Sequence, residues 1–114
     1  MSRLPTNLYL IYHAHVYFDQ GSLDDASTLC KRAGKELGIT VGRIHTRNVG
    51  PHPHWSCQLL FNSEEFDRVI SWLDSNRHGL NILVHGVTGN NLQDHTDHAA
   101  WLGDSSKLNL EIFK

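Results

Sequence analysis

Histidine is the residue type whose number and spacing in this sequence point to chemistry. The chain has 114 residues and nine histidines, as many as it has glycines, although glycine is among the commonest residue types and histidine is not. Imidazole is the commonest metal ligand in proteins and also titrates near neutral pH. We therefore predict a divalent-metal site with spare imidazoles for proton transfer. Seven of the histidines fall in four groups along the chain: His13 and His15, His52 and His54, His85, and His95 and His98.

Two of these groups have spacings with a geometric meaning. In a β-strand, His13 and His15 project from one face about 7 Å apart, which suits two ligands of one ion. A strand with a hydrated histidine would show the same spacing. Prolines flank His52 on both sides in the segment 50–54 (GPHPH) and restrict its backbone. We interpret this segment as a rigid ligand loop, the alternative being a proline-rich turn.

The other two groups lie at the ends of predicted elements. His85 ends an apolar run, and the end of a buried strand is a usual place for a functional side chain. His95 and His98 are three residues apart at a helix start, so they would share one side of that helix. There Asp94 and Asp97 could each hydrogen-bond a ring nitrogen. A polar helix start with two hydrated histidines is the alternative interpretation.

Other chemistries have little support in the sequence. It contains no glycine-rich phosphate loop, no paired-cysteine zinc motif and no serine or cysteine nucleophile motif. Cys30 and Cys57 lie among apolar neighbours, so we interpret them as buried thiols in a reducing compartment. With nitrogen donors and no thiolate, Fe(II), Zn, Cu and Ni are all chemically reasonable occupants of the site.

Composition is that of an ordinary globular domain. Hydrophobic residues make up 39% and charged residues 19% of the chain, with a net charge of −2. This balance lacks the basic footprint of a nucleic-acid binder. No apolar run approaches the roughly 20 residues of a membrane span, and the N-terminus lacks a signal-peptide pattern. We expect one domain over residues 1–114, in the cytoplasm, without a nucleic-acid or membrane partner.

The elements that must position the histidines follow from hydrophobic periodicity. Two segments have the spacing of amphipathic helices, one opened by Ser22 and ended by Gly38, the other opened by Ser63 and ended by Gly79. Four segments have the alternation or apolar clustering of strands: residues 8–18, 39–45, 54–61 and 80–87.

The resulting order, β-α-β-β-α-β, predicts a ferredoxin-like α+β sandwich, in which two helices cover one face of a four-stranded antiparallel sheet. The tail is predicted to add a short helix opened by Asp94 and a last strand over residues 108–113. Alternation places Val16, Trp55 and Val84 beneath the helices. The opposite, open face receives histidines from three strands: His13, His15, His54 and His85.

Five segments together resemble a known family. They are residues 12–18 (YHAHVYF), 42–43 (GR), 50–53 (GPHP), 79–85 (GLNILVH) and 94–103 (DHTDHAAWLG). In this order and spacing they resemble the DOPA 4,5-dioxygenase family of fungi and bacteria. The resemblance implies a ferredoxin-like fold and extradiol cleavage of a catechol by O₂ with non-haem iron. Gly86 departs from the family, which commonly has proline after the histidine of the fourth strand.

The resemblance also implies roles for individual residues. His15, His52 and His85 are expected to hold Fe(II), with Zn or another divalent ion as the alternative occupant of the purified protein. His95 or His98, in the closing motif, is expected to act as general base and acid. No carboxylate of a 2-His-1-carboxylate site is evident in the family pattern. Four further residues are assigned to substrate contact: Arg43, His13, His54 and Tyr17.

The expected partners are a catechol, O₂ and a second copy of the chain. A homodimer is expected because the open face carries Tyr17, Leu60 and Leu83 among its histidines, and such patches usually mark an interface or a ligand groove. Arg43 could pair with a substrate carboxylate in bidentate fashion, or form a structural salt bridge. Two alternatives to a dioxygenase stay open: a non-enzymatic metal or small-ligand binding module, and a non-oxidative metal enzyme.

Overall fold

The predicted β-α-β-β-α-β order is confirmed, and a fifth strand extends the sheet. The computed structural model describes residues 4–114. Neighbouring strands pair antiparallel in the order β2-β3-β1-β4-β5. The elements are β1 (Ile11–Phe18), α1 (Leu23–Leu37), β2 (Thr40–His45), β3 (Trp55–Asn62), α2 (Phe66–Asn76), β4 (Ile82–Gly86), α3 (Asn91–Asp94) and β5 (Ala99–Leu102).

The first helix begins and ends where the sequence predicts. Ser22 occupies the N-cap position of α1, although its hydroxyl donates to the carboxylate of Asp19 and makes no capping hydrogen bond to the helix. The acidic Asp24 and Asp25 lie in the first turn, where the helix dipole favours negative charge. Gly38 ends the helix with a left-handed φ of 69°. Its N–H donates to the carbonyl oxygen of Gly34 at 3.1 Å. Glycine adopts this conformation without the steric cost of a side chain.

The second helix begins later than predicted. The side chain of Asn62, rather than that of Ser63, accepts hydrogen bonds from the backbone N–H groups of Glu64 and Glu65. This turn precedes α2, which starts at Phe66. The helix also ends before the predicted Gly79, at Asn76.

One face of the sheet packs against α1 and α2, as the alternation predicts. Val16 and Val84 are buried there, and Trp55 packs half-buried against the same core. Each fully buried aliphatic side chain contributes about 1.5–3 kcal/mol of transfer free energy. The large, fully buried aliphatic side chains of this core are Val16, Leu59, Val69, Leu73, Ile82 and Val84.

The register of the central strands aligns three histidines on the other face. His13 of β1 lies directly opposite His85 of β4, and His15 lies opposite Leu83. Because side chains alternate along a strand, His13, His15 and His85 all project away from the helices. On that face Tyr17, Leu83 and Trp101 form a small buried cluster, with Leu108 packed against it.

The tail differs from the prediction in two ways. Residues 108–113 do not form a strand: they include a 3-10 helix, Leu110–Phe113. The strand that the tail contributes is β5, which pairs with β4. The predicted strand is wrong because the backbone N–H of Asn109 donates to the carbonyl oxygen of Pro51 at 2.8 Å. This contact holds the segment to a loop instead of to a sheet edge.

The short helix of the tail is also shifted. Asn90, and not Asp94, caps it by accepting from the N–H of Gln93 at 3.0 Å. Asp94 is its last residue, and its carboxylate accepts hydrogen bonds from the N–H and the hydroxyl of Thr88. A carboxylate occupied in this way is unavailable as a cap. No helix within residues 4–114 is long and apolar enough to span a membrane.

Candidate functional site

Five imidazole rings gather on the face of the sheet that the helices leave open. His15, His52 and His85 are buried, with 5%, 7% and 3% of their surface exposed. His13 and His95 are half-buried beside them. The ring centroids of His15 and His52 lie 4.1 Å apart, and those of His85 and His95 lie 4.2 Å apart. The strands, the proline-flanked loop and the segment after α3 thus deliver side chains to one place.

The ligand atoms of these rings are close enough to share an ion. In one group, His13, His15 and His85 each offer one ring nitrogen within 4.8 Å of the others. In a second group, His15, His52 and His95 do the same. His15 belongs to both groups, so it is the centre of the arrangement. His52 and His85, which the family resemblance assigns to one ion, lie in different groups.

The distance between two of the nitrogens fits direct coordination. Nε2 of His15 lies 3.0 Å from Nε2 of His85. Two nitrogen ligands at about 2.1 Å from one ion are about 3.0–3.4 Å apart for angles between 90° and 109°. This pair of donors therefore fits a transition-metal ion without rearrangement.

Hydrogen bonds on the other ring nitrogen orient three of the rings. Nδ1 of His85 donates to the carbonyl oxygen of Gly86 at 2.9 Å, and Nδ1 of His95 donates to that of Asn91 at 2.7 Å. Nδ1 of His52 lies 2.6 Å from the phenol oxygen of Tyr17. In each ring Nε2 is left as the ligand atom. Metal-binding histidines are commonly held by such a bond on the second nitrogen.

Burial keeps these imidazoles neutral, which is the form that binds metals. Desolvation, followed by the neighbouring His52 and His85, holds the pKa of His15 well below its ordinary value of 6.5. Desolvation lowers the pKa of His52 to about 4 and that of His85 to about 3. At neutral pH all three are therefore uncharged, and no positive charge on them opposes the binding of a cation.

The two histidines of the closing motif lie in different environments. The ring of His95 contacts His85, whereas that of His98 packs against Tyr9 with centroids 4.6 Å apart. Nδ1 of His98 lies 2.8 Å from the carboxylate of Asp94, so the expected orientation of an imidazole by this carboxylate is observed for His98. The sequence does not separate the two histidines, since both are in one short motif.

Asp94 is the buried carboxylate nearest to this arrangement. Burial alone would raise its pKa, but hydrogen bonds from Thr88 and His98 together lower it. Its oxygens are thereby committed to Thr88 and His98. Both groups of candidate ligands consist of histidines alone.

The residues assigned to substrate contact lie at different distances from the imidazoles. His13 belongs to one of the ligand groups, and Tyr17 contacts His52. His54 precedes β3 and is exposed, with Nε2 3.1 Å from the hydroxyl of Ser106. Arg43 is exposed on the edge strand β2, at a bulge in its pairing with β3. One strand, β3, lies between β2 and β1, which carries His15.

Gly86 has a local explanation. A Cβ atom at this position would lie 2.5 Å from Cδ2 of Tyr9, so a side chain here would collide with the tyrosine ring. The same ring packs against His98. The absence of a side chain after His85 thus allows Tyr9 to fill this space.

Two further residues near the imidazoles were not expected to have a role. His45, on β2, lies opposite Ser56 and lowers the pKa of His52. Strand alternation is the signal that could have identified His45, because it places this residue on the face of the sheet away from the helices. The ring of Phe113 lies 4.9 Å from that of His95. No sequence signal predicts this contact, because it depends on how the tail folds back.

Curated relatives of the chain cover most of its length. DOPA 4,5-dioxygenase of Amanita muscaria is 36% identical over an alignment of 108 positions, which covers 87% of this chain and 47% of that protein. An uncharacterized 21.2 kDa protein of Botryotinia fuckeliana is 30% identical, over 90% of this chain and 63% of its own length. The chain therefore spans about half the length of the first relative and less than two thirds of the second.

A solved structure and a family profile agree with these relatives. The crystal structure of a candidate dioxygenase from Nostoc punctiforme superimposes with a TM-score of 0.88 and 40% sequence identity, covering 91% of this chain and 90% of that one. The profile described as the Dopa 4,5-dioxygenase family matches residues 12–112, which include all the clustered imidazoles. This chain belongs to the Dopa 4,5-dioxygenase family.

Proposed function

We propose that the protein is a metal-dependent dioxygenase that opens the ring of a catechol, such as DOPA, beside its two hydroxyl groups. The main observation behind this proposal is that neutral imidazoles converge on the face of the sheet away from the helices. Nε2 of His15 lies 3.0 Å from Nε2 of His85 there. The name of the Amanita muscaria relative supports the substrate class. Fe(II) is the proposed ion, because imidazole is a suitable ligand for iron and the family resemblance implies non-haem iron.

His15, His52 and His85 are the proposed ligands. His15 belongs to both groups of converging nitrogens, and binding of one ion by all three requires the rings of His52 and His85 to approach each other, since neither group contains both. His52 and His85 are buried, and each has its Nδ1 hydrogen-bonded. Three protein ligands leave further positions free for other groups. When bound, the ion supplies an electrophilic centre that acidifies the catechol hydroxyls, together with the redox chemistry that O₂ requires.

His95 is the proposed proton carrier. Its Nδ1 donates to the carbonyl oxygen of Asn91, which leaves Nε2 unprotonated and able to accept a proton from a catechol hydroxyl. The ring lies against that of His85, so it borders the ligand set. His98 is held by Asp94 and Tyr9 instead. We therefore assign the proton transfer to His95 in preference to His98.

The overall reaction balances with O₂ as the sole oxidant. The carbon–carbon bond next to the diol breaks, and both oxygen atoms enter the ring-opened semialdehyde acid. The proton that His95 accepts returns to the product. The buried cluster of Tyr17, Leu83 and Trp101 lies on the same face, and it excludes water from one side of the site.

Anaerobic reconstitution with Fe(II) tests this proposal. The loaded protein is mixed with air-saturated buffer and a panel of catechols, while O₂ uptake and yellow product are recorded. We expect one O₂ per catechol, and neither signal from the chelated protein or from His15→Ala. Metal retention without turnover would indicate a binding module. Turnover without O₂ uptake would indicate a non-oxidative enzyme.

A further inference from the structure

The end of the chain crosses the face that carries the histidines. Residues 106–113, here called the strap, contact the proline-flanked loop at two points. The hydroxyl of Ser106 lies 3.1 Å from Nε2 of His54, and the N–H of Asn109 donates to the carbonyl oxygen of Pro51 at 2.8 Å. At its other end the ring of Phe113 lies 4.9 Å from that of His95. The strap thus contacts both the proline-flanked loop and His95, which follows α3.

The proposed ligands are buried, so a substrate must approach an ion between them past the segments that cover this face. His15, His52 and His85 are each less than 10% exposed, and a catechol must bring both hydroxyl groups to the ion that they hold. The strands that carry His15 and His85 are paired on both sides and cannot separate without unfolding the sheet.

The strap is attached weakly to the rest of the protein. Its apolar residues Leu108, Leu110 and Phe113 are only half-buried, and the rest of it is mainly exposed. Its regular structure is a single 3-10 turn. Few buried apolar contacts and solvent-exposed hydrogen bonds are the features of segments that open locally at low free-energy cost.

We propose that the strap opens to admit the aromatic substrate and closes over it, and that Phe113 packs against the substrate's ring. The aromatic substrate rests on the proposed function, but the shielding of the histidines by the strap does not. In the closed position the phenyl group borders His95, the residue that accepts the proton. Phe113 is therefore a substrate-contacting residue that selects planar aromatic rings.

Chemical footprinting of the metal-free protein tests the shielding. Diethyl pyrocarbonate acylates accessible imidazoles, and peptide mass spectrometry follows the rate at His95. Phe113→Ala should raise this rate about fivefold or more. Since a tenfold change corresponds to about 1.4 kcal/mol, this equals a loss of about 1 kcal/mol in the free energy that favours the closed strap. Ile112→Ala is the matched control, because the Ile112 side chain is 58% exposed. An acylation rate at His95 in Phe113→Ala equal to that of the unmodified protein would overturn the proposal.

The backbone hydrogen bond of the strap allows a second pair of variants. Asn109→Pro removes the N–H that donates to Pro51, and the observed φ of −86° is close to the range of proline. Asn109→Ala retains the N–H, and the Asn109 side chain makes no cap hydrogen bond. We expect faster acylation of His95 in Asn109→Pro alone. Equal acceleration in both variants would overturn the role of this contact in closure.

Steady-state kinetics of the Fe(II)-loaded protein tests the contact with the substrate. Phe113→Ala should raise KM for a catechol about tenfold with a smaller change in kcat. Phe113→Leu should raise KM less than Phe113→Ala does. Unchanged KM in Phe113→Ala, with turnover by the unmodified protein, would overturn the assignment of Phe113. If the unmodified protein consumes no O₂, the proposed function fails, and footprinting still decides whether the strap shields His95.

Discussion

The phenol oxygen of Tyr17 lies 2.6 Å from Nδ1 of His52. Desolvation raises the pKa of this phenol above its ordinary value, so it stays protonated at neutral pH. In the tautomer of His52 whose Nε2 can bind an ion, Nδ1 is protonated and donates to the phenol oxygen. A phenol in this position fixes the direction in which Nε2 of His52 points.

Tyr17→Phe should weaken metal binding while leaving the fold intact. Loss of such an orienting hydrogen bond commonly costs about 10–100-fold in metal affinity, and we expect about tenfold here. Competition titration of Zn(II) or Fe(II) against a chromophoric chelator measures it. Tyr9→Phe is the control, since it removes the same group from a half-buried tyrosine that packs against His98. Equal affinity in Tyr17→Phe and the unmodified protein would refute this role.

The proposed ligand set makes a prediction for metal content. Each of His15→Ala, His52→Ala and His85→Ala should abolish retention of the ion through gel filtration, because three protein ligands are the usual set of a catalytic site. His54→Ala is the control, as this exposed residue contacts Ser106. Elemental analysis measures the metal per chain. Full metal content in His52→Ala would show that His52 is not a ligand.

The different environments of His95 and His98 predict different kinetic effects. His95→Ala should lower kcat by about 10²-fold or more, the usual scale for loss of a general base, with the metal still bound. His98→Ala should have a smaller effect on kcat. Its ring packs against Tyr9, and its Nδ1 bonds Asp94. If His95→Ala loses its metal instead, His95 is a ligand, in agreement with its membership of the second group.

The low pKa values predict that acid destabilises the metal-free protein. Burial lowers the pKa of His52 to about 4 and that of His85 to about 3, while in the unfolded chain both stay near 6.5. Below pH 6.5 the unfolded state therefore binds more protons than the folded state, and the free energy of unfolding falls as pH falls.

The expected slope is at most about 1.4 kcal/mol per pH unit for each such histidine. Urea unfolding of the metal-free protein between pH 7.5 and pH 5 measures this slope. Most carboxylates titrate below this pH range and so contribute little to it. His85→Gln should reduce the slope, since it removes one of the titrating groups. A free energy of unfolding that is constant across this range would contradict the burial of neutral histidines.

The homodimer stays a prediction, but the surface that motivates it has changed. Tyr17 and Leu83 are buried by β5 and Leu108 rather than exposed on an open face. Leu8 and Leu10, 68% and 79% exposed, lie next to Val87 at one end of the sheet and line the same groove. We expect light scattering at micromolar concentration to give twice the mass of 12.9 kDa. A monomer mass would rule out the dimer, and Leu10→Asp should then leave the mass unchanged.

The sequence alone determines most of the framework. Alternation of apolar residues identifies four of the five strands, since one side of each must face the core. It also places His13, His15 and His85 on the opposite side, because the side-chain period of a strand is two. The end of α1 follows from Gly38, whose preference for the left-handed conformation is local, and the acidic Asp24 and Asp25 mark its first turn.

Tertiary structure alone decides how the histidines are distributed around the site. Whether His95 or His98 borders His85 depends on the path of the chain after α3, and both residues have the same local pattern. The bond of Tyr17 to His52 and the position of Phe113 against His95 join segments that are 35 and 18 residues apart in sequence. Contacts of this kind depend on the packing of loops and the tail, for which hydrophobic periodicity contains no information. The pattern of residues therefore determines which face carries the imidazoles, and packing of the loops and the tail determines what each imidazole contacts.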